Sequence, residues 1–297
     1  MRLCTLLRRA ALAGSVAALP AGCQLVANLR DIEAVDASAG ADTGLGAEVT
    51  TDSPHDSSMP DGMPEAGVPD GPYGSSELEL IDNMEDRTGS IADVGGRNGP
   101  WFTYNDETLA GQQTPKAGGV FSPSANDPPR LIPESLGGGE SHYAAQTTGS
   151  GFTTWGAGMG FNFLTDASTA YDASAYLGFV FWGRIGGQTG EEDAGVSGIR
   201  LNVPDMNTDP RGGVCSEAGM TCNDFFGKEL IFTTEWQEFE VLYADLGQSG
   251  FGTPEPALDA AHVYACQFLI STDANNDNSG QAFDLWIDDI YFIKKSD

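Results

Sequence analysis

Two adjacent carboxylates, Asp288 and Asp289, lie inside the apolar stretch Phe283-Asp284-Leu285-Trp286-Ile287-Asp288-Asp289-Ile290-Tyr291-Phe292-Ile293. Its aromatic and β-branched residues suit a pleated strand. Neither parity of the alternation is wholly polar, so both faces are expected to be covered. Successive strand residues point to opposite faces, which places Asp289 with Leu285 and Ile287, and Asp288 with Asp284, Trp286 and Ile290. A carboxylate among apolar neighbours needs hydrogen bonds, a cation or a route to water. Calcium with oxygen ligands and hydrogen bonds from loop amides are the two solutions.

A second set of residues could recognise sugars. Arg97-Asn98-Gly99-Pro100-Trp101-Phe102-Thr103-Tyr104-Asn105-Asp106 interleaves aromatic rings with polar side chains. Flat rings meet the C–H faces of a pyranose, and amides or carboxylates meet its hydroxyls. Gly99-Pro100 reads as a turn, so the segment is expected to be a loop. Trp101, Tyr104, Asn105 and Asp106 are the candidates here, against the alternative that Trp101 and Tyr104 anchor the segment on the core. Trp155 sits among glycines that let the backbone approach closely and leave an indole exposed, or equally let it plug a tight bend. Arg184, Arg200, Asn202 and Gln267 fall on expected strands; each is an ordinary surface residue or, if one sheet is concave and wet, projects into it, and Arg200 joins the sugar-binding set. Trp182 and Trp236 read as core.

Other chemistries find less support. Asp273-Ala274-Asn275-Asn276-Asp277-Asn278-Ser279-Gly280, followed by Asp284, imitates a calcium loop, but its glycine is displaced and its flanks read as strands, so a polar hairpin turn is the better account. The sequence holds no G-x-S-x-G, no H-E-x-x-H and no phosphate-cradling loop. Of its three histidines, His55 lies outside the domain, and His142 cannot form a dyad with Ser141, because adjacent strand residues diverge. A glycosidase needs only two facing carboxylates, ~5 to 9.5 Å apart, so an enzyme remains one of the readings. The net charge of -29 argues against nucleic acid as a partner, which requires a basic face.

These residues must be positioned by an all-β domain. Short apolar runs occur at 78–83, 142–148, 159–164, 177–185, 198–203, 229–233, 238–243, 263–271 and 283–293, separated by Gly-, Asn- and Pro-rich turns. No long 3.6-period stripe interrupts them; Ala257 to Ala261 could make one helical turn. The pattern predicts a jelly-roll β-sandwich over residues 77–297. Residues 23–76 are dominated by Ala, Asp, Ser, Gly, Pro and Glu and are read as a disordered acidic tether of ~40 Å coil dimension. Residues 1–22 carry Arg2, Arg8 and Arg9 before a short apolar run, which is the pattern of an export signal. The run ends Leu19-Pro20-Ala21-Gly22-Cys23, similar to a lipoprotein signal with Pro20 where Leu is usual; an ordinary signal cut near Ala21 or Gly22 is the alternative. Lipidation of Cys23 would anchor the chain in membrane. The Gln24 that follows resembles Gram-negative lipoproteins of the outer membrane. Export makes a Cys215–Cys222 disulfide the natural reading of that pair, with Cys266 a free core thiol.

Several segments together resemble a known family. They are Ile81-Asp82-Asn83-Met84-Glu85-Asp86, the run from Tyr171 to Trp182, Thr233-Thr234-Glu235-Trp236-Gln237-Glu238-Phe239 with Asp245-Leu246, and the closing Ile287-Asp288-Asp289-Ile290. In this order they resemble the galactose-binding-like jelly rolls, in particular carbohydrate-binding modules of the family-11 type on bacterial surface lipoproteins. The resemblance implies a glycan or polysaccharide partner. It also implies a structural calcium near the first and last strands, with Asp82, Glu85 and Asp288 as ligands. The expected function is a surface-anchored, non-catalytic glycan-binding module. The alternatives are a structural or adhesive envelope lipoprotein with no sugar site and a carbohydrate-active enzyme.

Overall fold

The computed structural model describes residues 72–186, 198–272 and 280–296. Twelve strands carry the fold: β1 (Leu78–Asp82), β2 (Trp101–Asn105), β3 (Gln112–Thr114), β4 (Ser124–Leu131), β5 (Glu140–Ser150), β6 (Ala157–Asn162), β7 (Tyr176–Ile185), β8 (Gly198–Val203), β9 (Phe226–Ile231), β10 (Gln237–Leu242), β11 (Ala265–Ile270) and β12 (Phe283–Lys294). They form two antiparallel sheets. The seven-stranded sheet runs β10-β7-β12-β5-β3, with β1 on β12 and β4 on β5; the five-stranded sheet runs β2-β6-β11-β8-β9. From β5 onward the chain changes sheet at nearly every connection, the crossing pattern of a jelly roll. Helix among the described residues is confined to three short 3-10 turns, and 257–261 is turn and bend, because Pro254 and Pro256 hold the preceding chain extended.

Alternation explains the core. Phe283, Leu285 and Ile287 of β12, Phe179 and Phe181 of β7, Met159 and Phe161 of β6, and Phe268 of β11 project between the sheets and are buried. Each large ring removed from water contributes about 2–3 kcal/mol. The sequence pattern located these strands to within a few residues. It missed β2, β3 and β4. The expected loop around Trp101 is strand β2, because Gly99-Pro100 turns the chain just before it and Trp-Phe-Thr-Tyr then pairs with β6. β4 contains Pro128 and Pro129, which lie where its register with β5 breaks between Ala125 and Arg130.

The junction in β12 matters most for the site. The first half of β12 pairs with β5 as far as Ile287, and the second half pairs with β1 from Ile290. Between them the β12–β7 register shifts, and Asp289 adopts φ +43°, left-handed backbone in which Asp is among the better tolerated residues. The two carboxylates therefore occupy a bulge where one neighbouring strand replaces another. Cys215 and Cys222 are disulfide-bonded, 5.1 Å apart at Cα, and Cys266 is free and buried.

Candidate functional site

The bulge lets both acidic side chains reach one cation. Arg130 Nε donates to Asp288 Oδ2 at 3.1 Å, and Arg130 Nη2 donates to Asp289 Oδ2. Alternation through a regular strand would separate Asp288 from Asp289; the left-handed Asp289 removes that separation. Ser141 Oγ donates to Asp288 Oδ2 at 2.7 Å, and the Asp289 amide donates to Asp288 Oδ1 at 2.8 Å. Arg130 also lies 4.8 Å from the centroid of Trp182. Burial raises the pKa of Asp288, and burial followed by the charge of Asp288 pushes Asp289 up to about 7. One guanidinium facing two buried carboxylates is best matched when the pair retains a proton.

Most of the oxygens of the three expected calcium ligands already accept hydrogen bonds. Asp82 Oδ1 accepts from the Met84 amide at 3.1 Å and Oδ2 from Trp101 Nε1 at 2.8 Å. Burial pushes Asp82 up to about 6. Glu85 Oε1 accepts from the His142 and Tyr143 amides at 2.7 and 2.9 Å. Asp288 is engaged as described above. Among the described residues no cluster of three or more His, Cys, Asp or Glu is placed to hold a metal ion. Residues 273–279, with their calcium-like spacing, lie outside the described residues, as do Cys23, the signal peptide and all but the last few residues of the tether.

The aromatic candidates separate into two groups. Trp101 is 3 % exposed, stacks with Phe121 at 5.4 Å and belongs to the core. Tyr104 has the opposite parity on β2, and its hydroxyl is buried without a hydrogen-bond partner among the described residues. Its ring crosses Gly158 so closely that a Cβ there would lie 2.5 Å from the ring tip. Trp155 stacks on Tyr104 with centroids 6.0 Å apart, and Phe102 lies 5.9 Å from Tyr104 on the other side. Asp106 makes this arrangement: its Oδ2 accepts from the amides of Thr154 and Gly156, fixing the turn that carries Trp155. Asn105 points away from the aromatic group and donates to Gln113 Oε1 at 3.0 Å.

The register extends this group across the five-stranded sheet. Tyr104 pairs with Gly158, Gly158 with Leu269, Leu269 with Arg200 and Arg200 with Glu229. The next row on the same face is Phe102, Gly160, Gln267, Asn202 and Gly227. Five strands at ~4.8 Å spacing make each row ~19 Å long. Glycine at three of the ten places keeps the surface low, and Arg200 lies flat along it, donating to Asn202 Oδ1 at 3.0 Å and to the Gly247 carbonyl at 2.6 Å. The connection between β8 and β9, which carries the Cys215–Cys222 disulfide, borders this face: its Arg211 Nη1 donates to Asn162 Oδ1 at 3.1 Å, at the end of β6. The structure thus brings Tyr104, Trp155 and Arg200 onto one face, and excludes Trp101 and Asn105 from it. Arg184 lies on the outer face of the other sheet, beside Trp286.

Sequence reading missed Arg130, which sits behind two prolines in a stretch with no apolar alternation. It also missed Leu269 and the flat glycine positions, whose placement follows only from cross-strand register.

No protein-family model matches the chain, and no curated protein matches it. Among solved structures, the family 11 carbohydrate-binding module of the cellulosomal cellulase Lic26A-Cel5E of Clostridium thermocellum is similar at 14% identity and TM-score 0.42, over 73% of this chain and 95% of that one. The family 11 module from Clostridium thermocellum in complex with a beta-1,3-1,4-mixed-linked tetrasaccharide is similar at 15% identity and TM-score 0.41, over 73% and 95%. A family 30 carbohydrate-binding module is similar at 9% identity and TM-score 0.41, over 72% of this chain and 98% of that one.

Proposed function

We propose that this domain is a glycan-binding module that takes an extended saccharide across the outer face of its five-stranded sheet. The observation that carries the reading is the pair of cross-sheet rows, aromatic at the β2 end and amide- and guanidinium-bearing towards β8. Rings at one end offer stacking, and Gln267, Asn202 and Arg200 offer hydroxyl partners beyond it. The two rows contain a single carboxylate, Glu229, whereas glycoside hydrolysis ordinarily needs two; this favours binding without turnover. Mature protein screened on a glycan array, with polysaccharide turnover assayed in parallel, tests both parts. Binding without release of reducing ends is the expected outcome.

The same reading includes a lipid anchor at Cys23 in the outer membrane, supported by the charged start, the apolar run and the small residues before the cysteine. A Cys23→Ser variant should leave the membrane fraction. Its retention there would contradict the anchor.

A further inference from the structure

The outer face of the seven-stranded sheet carries a second arrangement of tryptophans and arginines. Arg184 of β7 pairs directly with Trp286 of β12, which pairs with Gln146 of β5. The Arg184 guanidinium lies 4.5 Å from the ring centroid of Trp286 and 5.2 Å from that of Trp236. Next to it, Arg130 stands over Trp182 and Trp236 at 4.8 and 5.8 Å. The two arginines share Trp236 and differ in one respect. Arg130 is met by the carboxylates of Asp288 and Asp289, while Arg184 has no salt-bridge partner among the described residues.

The remaining arginines sharpen this contrast. Arg87, Arg97, Arg130, Arg200 and Arg211 each donate at least one hydrogen bond, to Tyr143, Tyr171, Asp288, Asn202 and Asp209 among others. Among the described arginines, Arg184 alone donates none, and its Nε is buried without an acceptor. Asp284, on the same face, and Glu235 contribute negative charge to the neighbourhood without ion-pairing Arg184, and Asp284 is held by Gln146, whose Nε2 donates to Asp284 Oδ1 at 2.8 Å. An arginine flanked by indoles, with a planar fork that no described residue fills, is suited to bidentate binding of a carboxylate.

We propose that Arg184, between Trp236 and Trp286, is a binding site for the carboxylate of a uronic acid within a glycan, separate from the face of the five-stranded sheet. Its arrangement repeats that of Arg130, with the ligand supplying the acid that Asp288 and Asp289 supply there. Asp284 and Gln146 lie beside it as acceptor and donor for sugar hydroxyls, which a peptide carboxylate would leave unused. The net charge of -29 opposes polyanions, so the ligand is a glycan with isolated uronates and not a continuous polyuronate.

The test compares two oligosaccharides that differ by one group: a xylo-oligosaccharide carrying a single glucuronate and the same oligosaccharide without it. Calorimetric titration uses the mature protein, Arg184→Gln, and Trp155→Ala as a control for the other face. The glucuronate form should bind at least tenfold more tightly than the neutral form. That preference should vanish in Arg184→Gln, persist in Trp155→Ala and weaken with added salt. Equal binding of the two sugars by the unmodified protein, or a preference that survives Arg184→Gln, would overturn the proposal. So would an acidic peptide that competes as well as the glucuronate sugar. Arg184→Lys separates fork from charge: it should recover less than half of the lost preference, and full recovery would contradict a bidentate contact.

Discussion

Arg130→Met removes the one cation among the described residues that faces Asp288 and Asp289 while keeping a long side chain over Trp182. Both carboxylates are almost wholly buried, at 0 % and 2 % exposure, and would be left with Ser141 and backbone donors. Breaking a buried ion pair from one side typically costs 3–5 kcal/mol. For a domain of this size each kcal/mol moves the midpoint by about 2–4 °C, so the variant should melt roughly 6–20 °C lower at pH 8. The loss should depend on pH in a fixed direction. The folded pKa of Asp289, about 7, lies above the ~3.9 of an unfolded aspartate. Between those values the folded state binds the extra proton, so stability falls as pH rises through that window. Removing Arg130 raises both folded values further, and the deficit should therefore shrink towards acid pH. Urea unfolding at pH 5 and pH 8 reads both quantities. A loss below ~1 kcal/mol at pH 8, or one that is equal at the two pH values, would refute the reasoning. Replacing Arg130, Asp288 and Asp289 together by apolar residues should restore most of the stability, because the burial cost of all three charges disappears.

Asp289→Asn retains a residue suited to left-handed backbone and fixes the neutral form. It should flatten the fall in stability between pH ~4 and ~7 seen in the unmodified protein; an unchanged pH profile would place the titration elsewhere. Chelator should leave the melting temperature unchanged, because the oxygens of Asp82 and Asp288 already accept donors; a drop reversed by added calcium would show a stabilising calcium site. Changing Cys215 and Cys222 to Ala should cost at most about 2.5 kcal/mol, given so short a closed loop, and a clearly larger loss in denaturant titration would mean that the loop holds the sandwich together.

The sandwich was legible because alternation marks strands that bury one face or both. Nine of its strands left such a trace at 78–83 through 283–293. β2 was hidden by the Gly-Pro turn that starts it, and β4 by prolines that its broken register accommodates. The conflict at Asp288 and Asp289 was visible as two acids in apolar surroundings. Its resolution was not, since it depends on a bulge and on Arg130, more than 150 residues earlier in the chain. Tyr104 and Trp155 could be named as aromatic candidates from composition. That they stack, and that Trp101 turns the other way, follows from strand parity once β2 is known to be a strand.

The most direct test of glycan binding on the five-stranded sheet is titration of the array-identified glycan into the mature protein and its Trp155→Ala variant, with Trp101→Phe as a core control. A stacking ring contributes about 1 kcal/mol, so Trp155→Ala should weaken binding about fivefold or more, with Gln267→Ala adding to the loss. Trp101→Phe should lower stability, through its bond to Asp82, and leave the affinity of the folded protein unchanged. Unaltered affinity in a folded Trp155→Ala, Gln267→Ala double variant would contradict the assignment of the ligand to this face.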